Sequence, residues 1–154
     1  MLRIIEANTK EQIEIVRDMF KEYAEYLQID LDFQNFNEEL ANLPGDYSTP
    51  SGSILLAYFN NHLAGCIALR KYNKSICEIK RLYVKQDFQG LKIGRKLTQK
   101  VIDKARIIGY KSIRLDTLPT MKKAIKLYLS LGFSEIKPYR YNPIEGARYF
   151  ELKL

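Results

Sequence analysis

The sequence predicts one α/β domain of the α+β kind, a mixed, mainly antiparallel central sheet flanked by helices. The chain of 154 residues with 46% hydrophobic content is long enough for one compact core and too short for two ordinary ones. Two stretches of helical periodicity precede a run of short β-patterned segments joined by tight turns, and helical and strand patterns then alternate to the end. No internal repeat, low-complexity tract or linker divides the chain, so residues 1–154 are read as one domain.

Leu2 to Ile5 is a short apolar stretch, and Thr9 can cap a helix with Gln12 in the reciprocal third position. Ile13, Val16, Phe20, Tyr23 and Leu27 recur at spacings of three and four, as an amphipathic helix requires. A shorter helix is expected over Phe36 to Leu43, with Phe36, Leu40 and Leu43 on one side, ended by Pro44-Gly45-Asp46. Three strands follow, Ile54 to Phe59, Leu63 to Leu69 and Ser75 to Val84, joined at Asn60-Asn61 and Lys71 to Lys74 as an antiparallel meander. Glu78, Lys80 and Arg81 interrupt the third strand, and polar groups there need a reason. After Gly94, the residues Leu97, Val101, Ala105 and Ile108 form a helical stripe that stops at Gly109, a natural C-terminal cap. Ser112 to Leu115 reads as a strand, and Met121, Ala124, Ile125 and Tyr128 mark a helix ending at Gly132. Phe133 to Ile136 and Tyr149 to Leu154 are the last strands, with a substantial loop over Pro138 to Gly146 between them.

No apolar run approaches the roughly 20 residues of a membrane span, and Met1 to Glu6 lacks a signal peptide's apolar stretch. A soluble, cytoplasmic chain is therefore expected. Cys66 and Cys77 lie in apolar β-like segments without CxxC spacing, and His62 is the single histidine, so no metal site is expected and both thiols read as small buried hydrophobes. The net charge of +7 attracts nucleic acid, anionic membranes and phosphorylated small molecules alike. No RRM, KH or helix-turn-helix signature supports nucleic acid, which would need a basic face with stacking aromatics.

The most informative segment is Leu82 to Arg95, a strand, a polar glycine-bearing loop and a helix start. Amides at a helix start lack intrahelical partners, and the helix dipole favours negative charge there, so this is an anion-binding construction. It carries neither GxxxxGK[ST] nor GxGxxG. The segment resembles the pyrophosphate-binding motif of the GNAT (Gcn5-related N-acetyltransferase) family, Gln or Arg, two residues, Gly, one residue, then Gly or Ala. Gln89 and Gly94 match, Lys92 stands where the first glycine is expected, and Gln86 occupies a position that is often proline. The strand Cys77 to Val84 before the motif and Ala124 to Phe133 after it fall in the family's order. The resemblance covers the last two thirds of the chain well and the N-terminal helices loosely.

The resemblance implies an N-acetyltransferase that moves an acetyl group from acetyl-CoA, as cosubstrate, to a primary amine of a small molecule or peptide by direct attack on the thioester. It implies that Leu82, Tyr83 and Val84 hold the pantetheine arm through their main chain. The loop Gln89, Gly90, Leu91, Lys92, Ile93, Gly94 and Arg95 would hold the pyrophosphate. Glu78 is the candidate base, because a protonated lysine-like amine (pKa about 10) has no lone pair and a carboxylate on the strand beside the acyl site can take its proton. The alternative is a structural ion pair of Glu78 with Lys80 or Arg81. Tyr128 is the candidate acid, matching a family tyrosine near the departing sulfur, although its place on an apolar stripe also suits packing. Tyr23, Tyr26, Phe33 and Phe36 would overlie the acceptor site, and Tyr139, Tyr141 and Arg148 flank the late loop. A homodimer is left open. The competing reading keeps the fold without the reaction: an acyl-CoA-binding or sensor module in which Lys92 marks lost catalysis.

Overall fold

The chain opens with a strand, β1 (Leu2–Glu6), which pairs antiparallel with β2 (Ser53–Phe59) in register from Leu2 opposite Phe59 to Glu6 opposite Leu55. The computed structural model describes the backbone of residues 1–154 and every side chain except that of Phe33. Between these strands stand α1 (Lys10–Leu27) and α2 (Phe36–Ala41). Thr9 starts α1 through the expected reciprocal cap: its hydroxyl accepts from the Gln12 amide at 3.2 Å, and the Gln12 side chain accepts from the Thr9 amide at 3.0 Å. The second helix is two residues shorter than expected, and Pro44 leads into a single 3-10 turn at Gly45–Tyr47.

The meander then continues through β3 (His62–Lys71) and β4 (Ile76–Val84), and Asn60 and Asn61 both take positive φ, the left-handed pair that two-residue hairpins favour. After β4 come α3 (Ile93–Ile108), β5 (Ser112–Thr117), α4 (Lys122–Ser130), β6 (Ser134–Ile136) and β7 (Arg148–Lys153). The seven strands form one sheet in the order β1-β2-β3-β4-β5-β7-β6, antiparallel except between β4 and β5. Strand β7 inserts between β5 and β6, so the late loop returns the chain across the sheet. Each face has its own core: α3 and α4 pack Leu97, Val101, Ala105, Ile125 and Tyr128 on one side, and α1 and α2 pack Val16, Phe20, Phe36 and Leu40 on the other. No helix is long and apolar enough to cross a membrane.

Two irregularities of β4 build the site. Its register with β3 slips between Cys66 opposite Tyr83 and Ala68 opposite Lys80, leaving one extra residue on β4, and Arg81 adopts φ 61°. This bulge resets the alternation. Cys77, Ile79, Leu82 and Val84 face the α3 core, whereas Tyr83 belongs to the α1 core and Arg81 stacks against Tyr23 and Phe36 of α1 and α2. Glu78 and Lys80 fall on that same face by alternation, which supplies the reason for the polar run. Strands β4 and β5, moreover, pair only from Ile76 opposite Ser112 to Glu78 opposite Arg114. Beyond Glu78 they diverge, and the second half of β4 has a free inner edge.

Candidate active site

The gap between the diverging strands opens into a cleft of about 870 Å³ walled by Leu82, Tyr83 and Val84 of β4, the loop after it, and Met121 to Leu127 around the start of α4. Gln89, Gly90, Lys92, Ile93, Gly94 and Arg95 all line it; Leu91 does not, and its side chain is 46% exposed. The α3 helix begins at Lys92 without a side-chain cap, so its first amides turn toward the cleft with no intrahelical acceptor. Lys92 takes φ 62° and Gly90 φ 85°. The left-handed backbone at Lys92 explains why a glycine suits this position: a side chain there costs roughly 1–2 kcal/mol. Lys122 and Lys123 on the opposite wall add positive charge. Free amides, a helix start and lysines fit a pyrophosphate, and the unpaired β4 edge fits an extended chain of amides.

Inside the cleft, sharing Tyr23, Leu82, Met121 and Ala124 with it, lies a chamber of about 60 Å³. Its walls include Lys80 and Arg81 of β4, Asp116 of β5, Gln34, Asn142 and Tyr128. The Tyr128 ring packs on Phe133 and Phe150, and its hydroxyl has no hydrogen-bond partner among the described residues. Burial pushes its phenol well above the ordinary value, so it stays protonated throughout the neutral range.

The sheet face behind the chamber carries a buried charge network. Lys80 Nζ lies 3.5 Å from Asp116 Oδ1, both side chains under 5% exposed, and Asn142 Nδ2 donates to the other Asp116 oxygen at 3.1 Å. Burial pushes the Lys80 ammonium down to about 8. Burial also pushes the Asp116 carboxyl up, but Lys80 and Asn142 outweigh it and hold the group below its usual range. Arg81 makes a fork on Glu39, 3.0 and 2.9 Å, and donates to Gln34 at 2.7 Å. These bonds hold its strained backbone in place.

Glu78 stands outside both the cleft and the chamber. It is 1% exposed, and its two oxygens accept from Arg70 Nε (3.0 Å), Arg140 Nη2 (2.7 Å) and Tyr139 Oη (2.7 Å). Spacing along the strand suggested Lys80 or Arg81 as its ion-pair partner, and neither is; the partners are Arg70, directly opposite on β3, and Arg140 of the late loop. The two catalytic candidates are therefore not brought together: Tyr128 lines the chamber, and the carboxylate that joins it there is Asp116. Sequence reasoning missed Asp116, Gln34, Arg70, Arg140 and Asn142. The one signal for Asp116 was an acid two residues after Arg114 in a short β-patterned segment, at a position the sequence reading placed just beyond the strand.

Tyr23 lines both spaces and Tyr26 the outer cleft, stacking on Tyr83, whose hydroxyl donates to Glu22 at 2.8 Å. Phe36 lies beneath the Arg81 guanidinium, and the expectation for Phe33 falls outside the described side chains. Tyr141 is exposed at the rim of a third recess, about 490 Å³, with Arg70 and Arg140; Arg148 instead pairs with Glu135 at the surface. Cys66 and Cys77 are buried free thiols, each pushed up to about 12 by burial.

Comparison with known proteins places the chain. Residues 13–133 match the acetyltransferase (GNAT) family. An uncharacterized N-acetyltransferase of Dictyostelium discoideum is 34% identical, covering 100% of this chain and 99% of its own. Another from Schizosaccharomyces pombe is 39% identical over 88% of this chain and 85% of its own. Among solved structures, a GNAT-family acetyltransferase from Staphylococcus aureus superposes with a TM-score of 0.81 at 25% identity, covering 99% of both chains. One from Elizabethkingia anophelis, with acetyl-CoA bound, has the same fold at a TM-score of 0.71, with 24% identity over 99% of this chain and 98% of its own. The chain belongs to the GNAT acetyltransferase family and is an acetyl-CoA-dependent acyltransferase.

Proposed function

We propose that the protein transfers an acetyl group directly to the primary amine of a small molecule, with the thioester at the meeting point of cleft and chamber. The observation that carries this reading is the divergence of β4 and β5 beyond Glu78, which joins a long cleft suited to a nucleotide and its arm to a small polar chamber containing Tyr128. Acetyl-CoA supplies an acetyl group made electrophilic by its thioester. Leu82, Tyr83 and Val84 present main-chain groups to the arm, and the amides from Ile93 to Arg95, with Lys92, Lys122 and Lys123, face the phosphates. Arg95 is steadied by a 2.9 Å bond from Nη1 to Ser130 Oγ.

In this reading Tyr128 hydrogen-bonds the departing sulfur, where a protonated phenol favours the thiolate as it forms. Its raised pKa makes it a hydrogen-bond donor and relay rather than a strong acid. Glu78, with both oxygens taken, serves this reading as the anchor of Arg70 and Arg140. The smallness of the chamber favours a slender amine over a folded protein surface, since about 60 Å³ holds roughly four to six waters at 10–15 Å³ each. A CoA-release screen over amino acids, polyamines, aminoglycosides and N-terminal peptides tests the reading. Release with a small amine is expected; acetyl-CoA binding with no release from any acceptor would favour the sensor alternative.

A further inference from the structure

The charges of this sheet face balance in the chamber and fail to balance beside it. Lys80 and Arg81 of the chamber wall are each matched by one carboxylate, Asp116 and Glu39. Arg70 and Arg140 have one carboxylate between them. Arg70 Nε and Arg140 Nη2 donate to the same oxygen of Glu78, at 3.0 and 2.7 Å, and the Tyr139 hydroxyl donates to the other oxygen at 2.7 Å. Neither guanidinium meets a second carboxylate among the described residues, and Arg140 Nε is buried with no partner there, so one positive charge is left over. The Tyr72 and Tyr139 rings lie 5.7 and 5.5 Å from the Arg140 guanidinium carbon, which softens its charge without cancelling it. Both arginines line the recess of about 490 Å³, and the Nη groups of Arg70 and Nη1 of Arg140 have no acceptor among the described residues. The recess holds carboxylates as well. Glu39 is taken by Arg81 and Tyr47, whereas Glu38 and Asp46 stand exposed at the rim, outside any ion pair among the described residues, where solvent screens them. Gln34 lines the recess and the chamber alike, so the two spaces adjoin.

We infer that the acceptor is an amine with a carboxylate at the far end of a short chain, the carboxylate held by Arg70 and Arg140 in the recess and the chain passing Gln34 to bring the amine into the chamber. This rests on the acetyltransferase reading above. A carboxylate in the recess supplies the missing negative charge and accepts from the planar N–H forks that Glu78 leaves free. A plain amine does neither: neutral, it leaves the excess in place, and protonated it adds to it. The spacing follows from the walls, because the two arginines line the recess and not the chamber, while Tyr128 lines the chamber and not the recess. The charged end and the reacting nitrogen therefore lie in different spaces. In the step itself the neutral amine nitrogen bonds to the acetyl carbon and the carbon–sulfur bond breaks with its electron pair going to sulfur. The Tyr128 hydroxyl gives its proton to sulfur and recovers one from nitrogen, leaving an N-acetyl amino acid and free thiol.

The test measures, for the wild-type protein, kcat/KM for glycine, β-alanine, 4-aminobutanoate, 5-aminopentanoate and 6-aminohexanoate, each beside its carboxamide and the plain alkylamine of the same length. At least one acid longer than glycine should exceed both of its partners by about ten-fold or more, the size of a lost hydrogen bond to a charged group. Basicity works against this order, because the carboxamide's more acidic ammonium supplies more free amine. In Arg70→Gln and Arg140→Gln, shown to be folded by melting curves and acetyl-CoA binding, the preference for acid over carboxamide should fall toward parity, through a higher KM for the acid. Where a variant does not fold, the comparison in the wild type decides. Carboxamides or alkylamines that match the acids at every length, glycine as the best acid, or two folded variants that keep the full preference would overturn the inference while leaving the acetyltransferase reading intact. Silence from every acid with release from another amine would do the same. Failure to bind acetyl-CoA, or binding with no release from any acceptor, would instead remove the reading on which the inference rests, and the inference with it.

Discussion

Tyr128 and Lys92 show how much one residue can decide. Tyr128→Phe keeps the ring that packs on Phe133 and Phe150 and deletes only the hydroxyl facing the chamber. Its kcat should fall about ten-fold or more with acetyl-CoA affinity nearly unchanged, as steady-state kinetics and calorimetry would show. A wild-type rate would make the residue a packing element. Lys92 is a different case, because its backbone is left-handed whatever its side chain does. Lys92→Gly removes that strain at the cost of a more flexible unfolded chain, so chemical denaturation should show a gain of no more than about 1 kcal/mol. Lys92→Glu keeps the strain and reverses the charge beside the first amides of α3, which the proposed function assigns to the phosphates. It should weaken acetyl-CoA binding far more than Lys92→Gly, and equal affinities would mean that the side chain points away. The substitution of lysine for the motif glycine was visible in the sequence. That the backbone nonetheless keeps the conformation glycine favours was not, because φ is imposed by the loop around it.

At the scale of elements, α1, the β2–β3–β4 meander and α3 were legible because local chemistry determines each of them: a reciprocal cap, an Asn-Asn turn, and an apolar stripe closed by Gly109. Strand β1 and the placement of β7 between β5 and β6 depend on partners more than 40 and 30 residues distant in sequence, which periodicity does not report. The same limit hid the charge network. Glu78 meets Arg140 from a loop 62 residues away, so spacing along β4 pointed to the wrong partners. The network gives a prediction that separates anchoring from base catalysis. Glu78→Gln leaves two half-buried arginines short of their carboxylate and should cost on the order of 1–3 kcal/mol of stability. Its catalytic deficit should remain constant as pH rises toward 9 to 10. A deficit that instead disappears in alkali, where free amine no longer needs a base, would restore Glu78 as the base.

For the whole molecule, both members of the Lys80–Asp116 pair make stability rise with pH, each in its own window. The folded-state carboxyl of Asp116 is depressed, so its contribution to stability is present above the ordinary value of about 3.9 and is lost as pH falls through the folded value. Lys80 is depressed as well, to about 8 from about 10.4, so here too the folded protein binds fewer protons than the unfolded chain across that window, and the charged form is the one that burial disfavours. Stability from this group therefore rises as pH rises from 8 toward 10. The melting temperature of the wild type minus that of Lys80→Met should climb over that interval, with the ionisation of unfolded-chain tyrosines common to both proteins and cancelling in the difference. A flat difference would mean that the ammonium is better solvated than its burial indicates.

The inner edge of β4 beyond Glu78 has one more implication. A strand with unsatisfied main-chain groups is sticky, and proteins ordinarily hide such edges because they invite pairing with another chain. Here the edge is left open between two strands of the protein's own sheet, where only something thin and amide-bearing can enter. On the reading proposed above, the cosubstrate would do for the sheet what a missing strand would do. Amide hydrogen exchange at Leu82 to Val84 should slow when acetyl-CoA is added, and the unliganded protein should be the more prone to aggregate on warming. On that reading the vulnerability that makes a sheet edge hazardous would be the same property that lets it grip a substrate, and bound substrate would keep it covered.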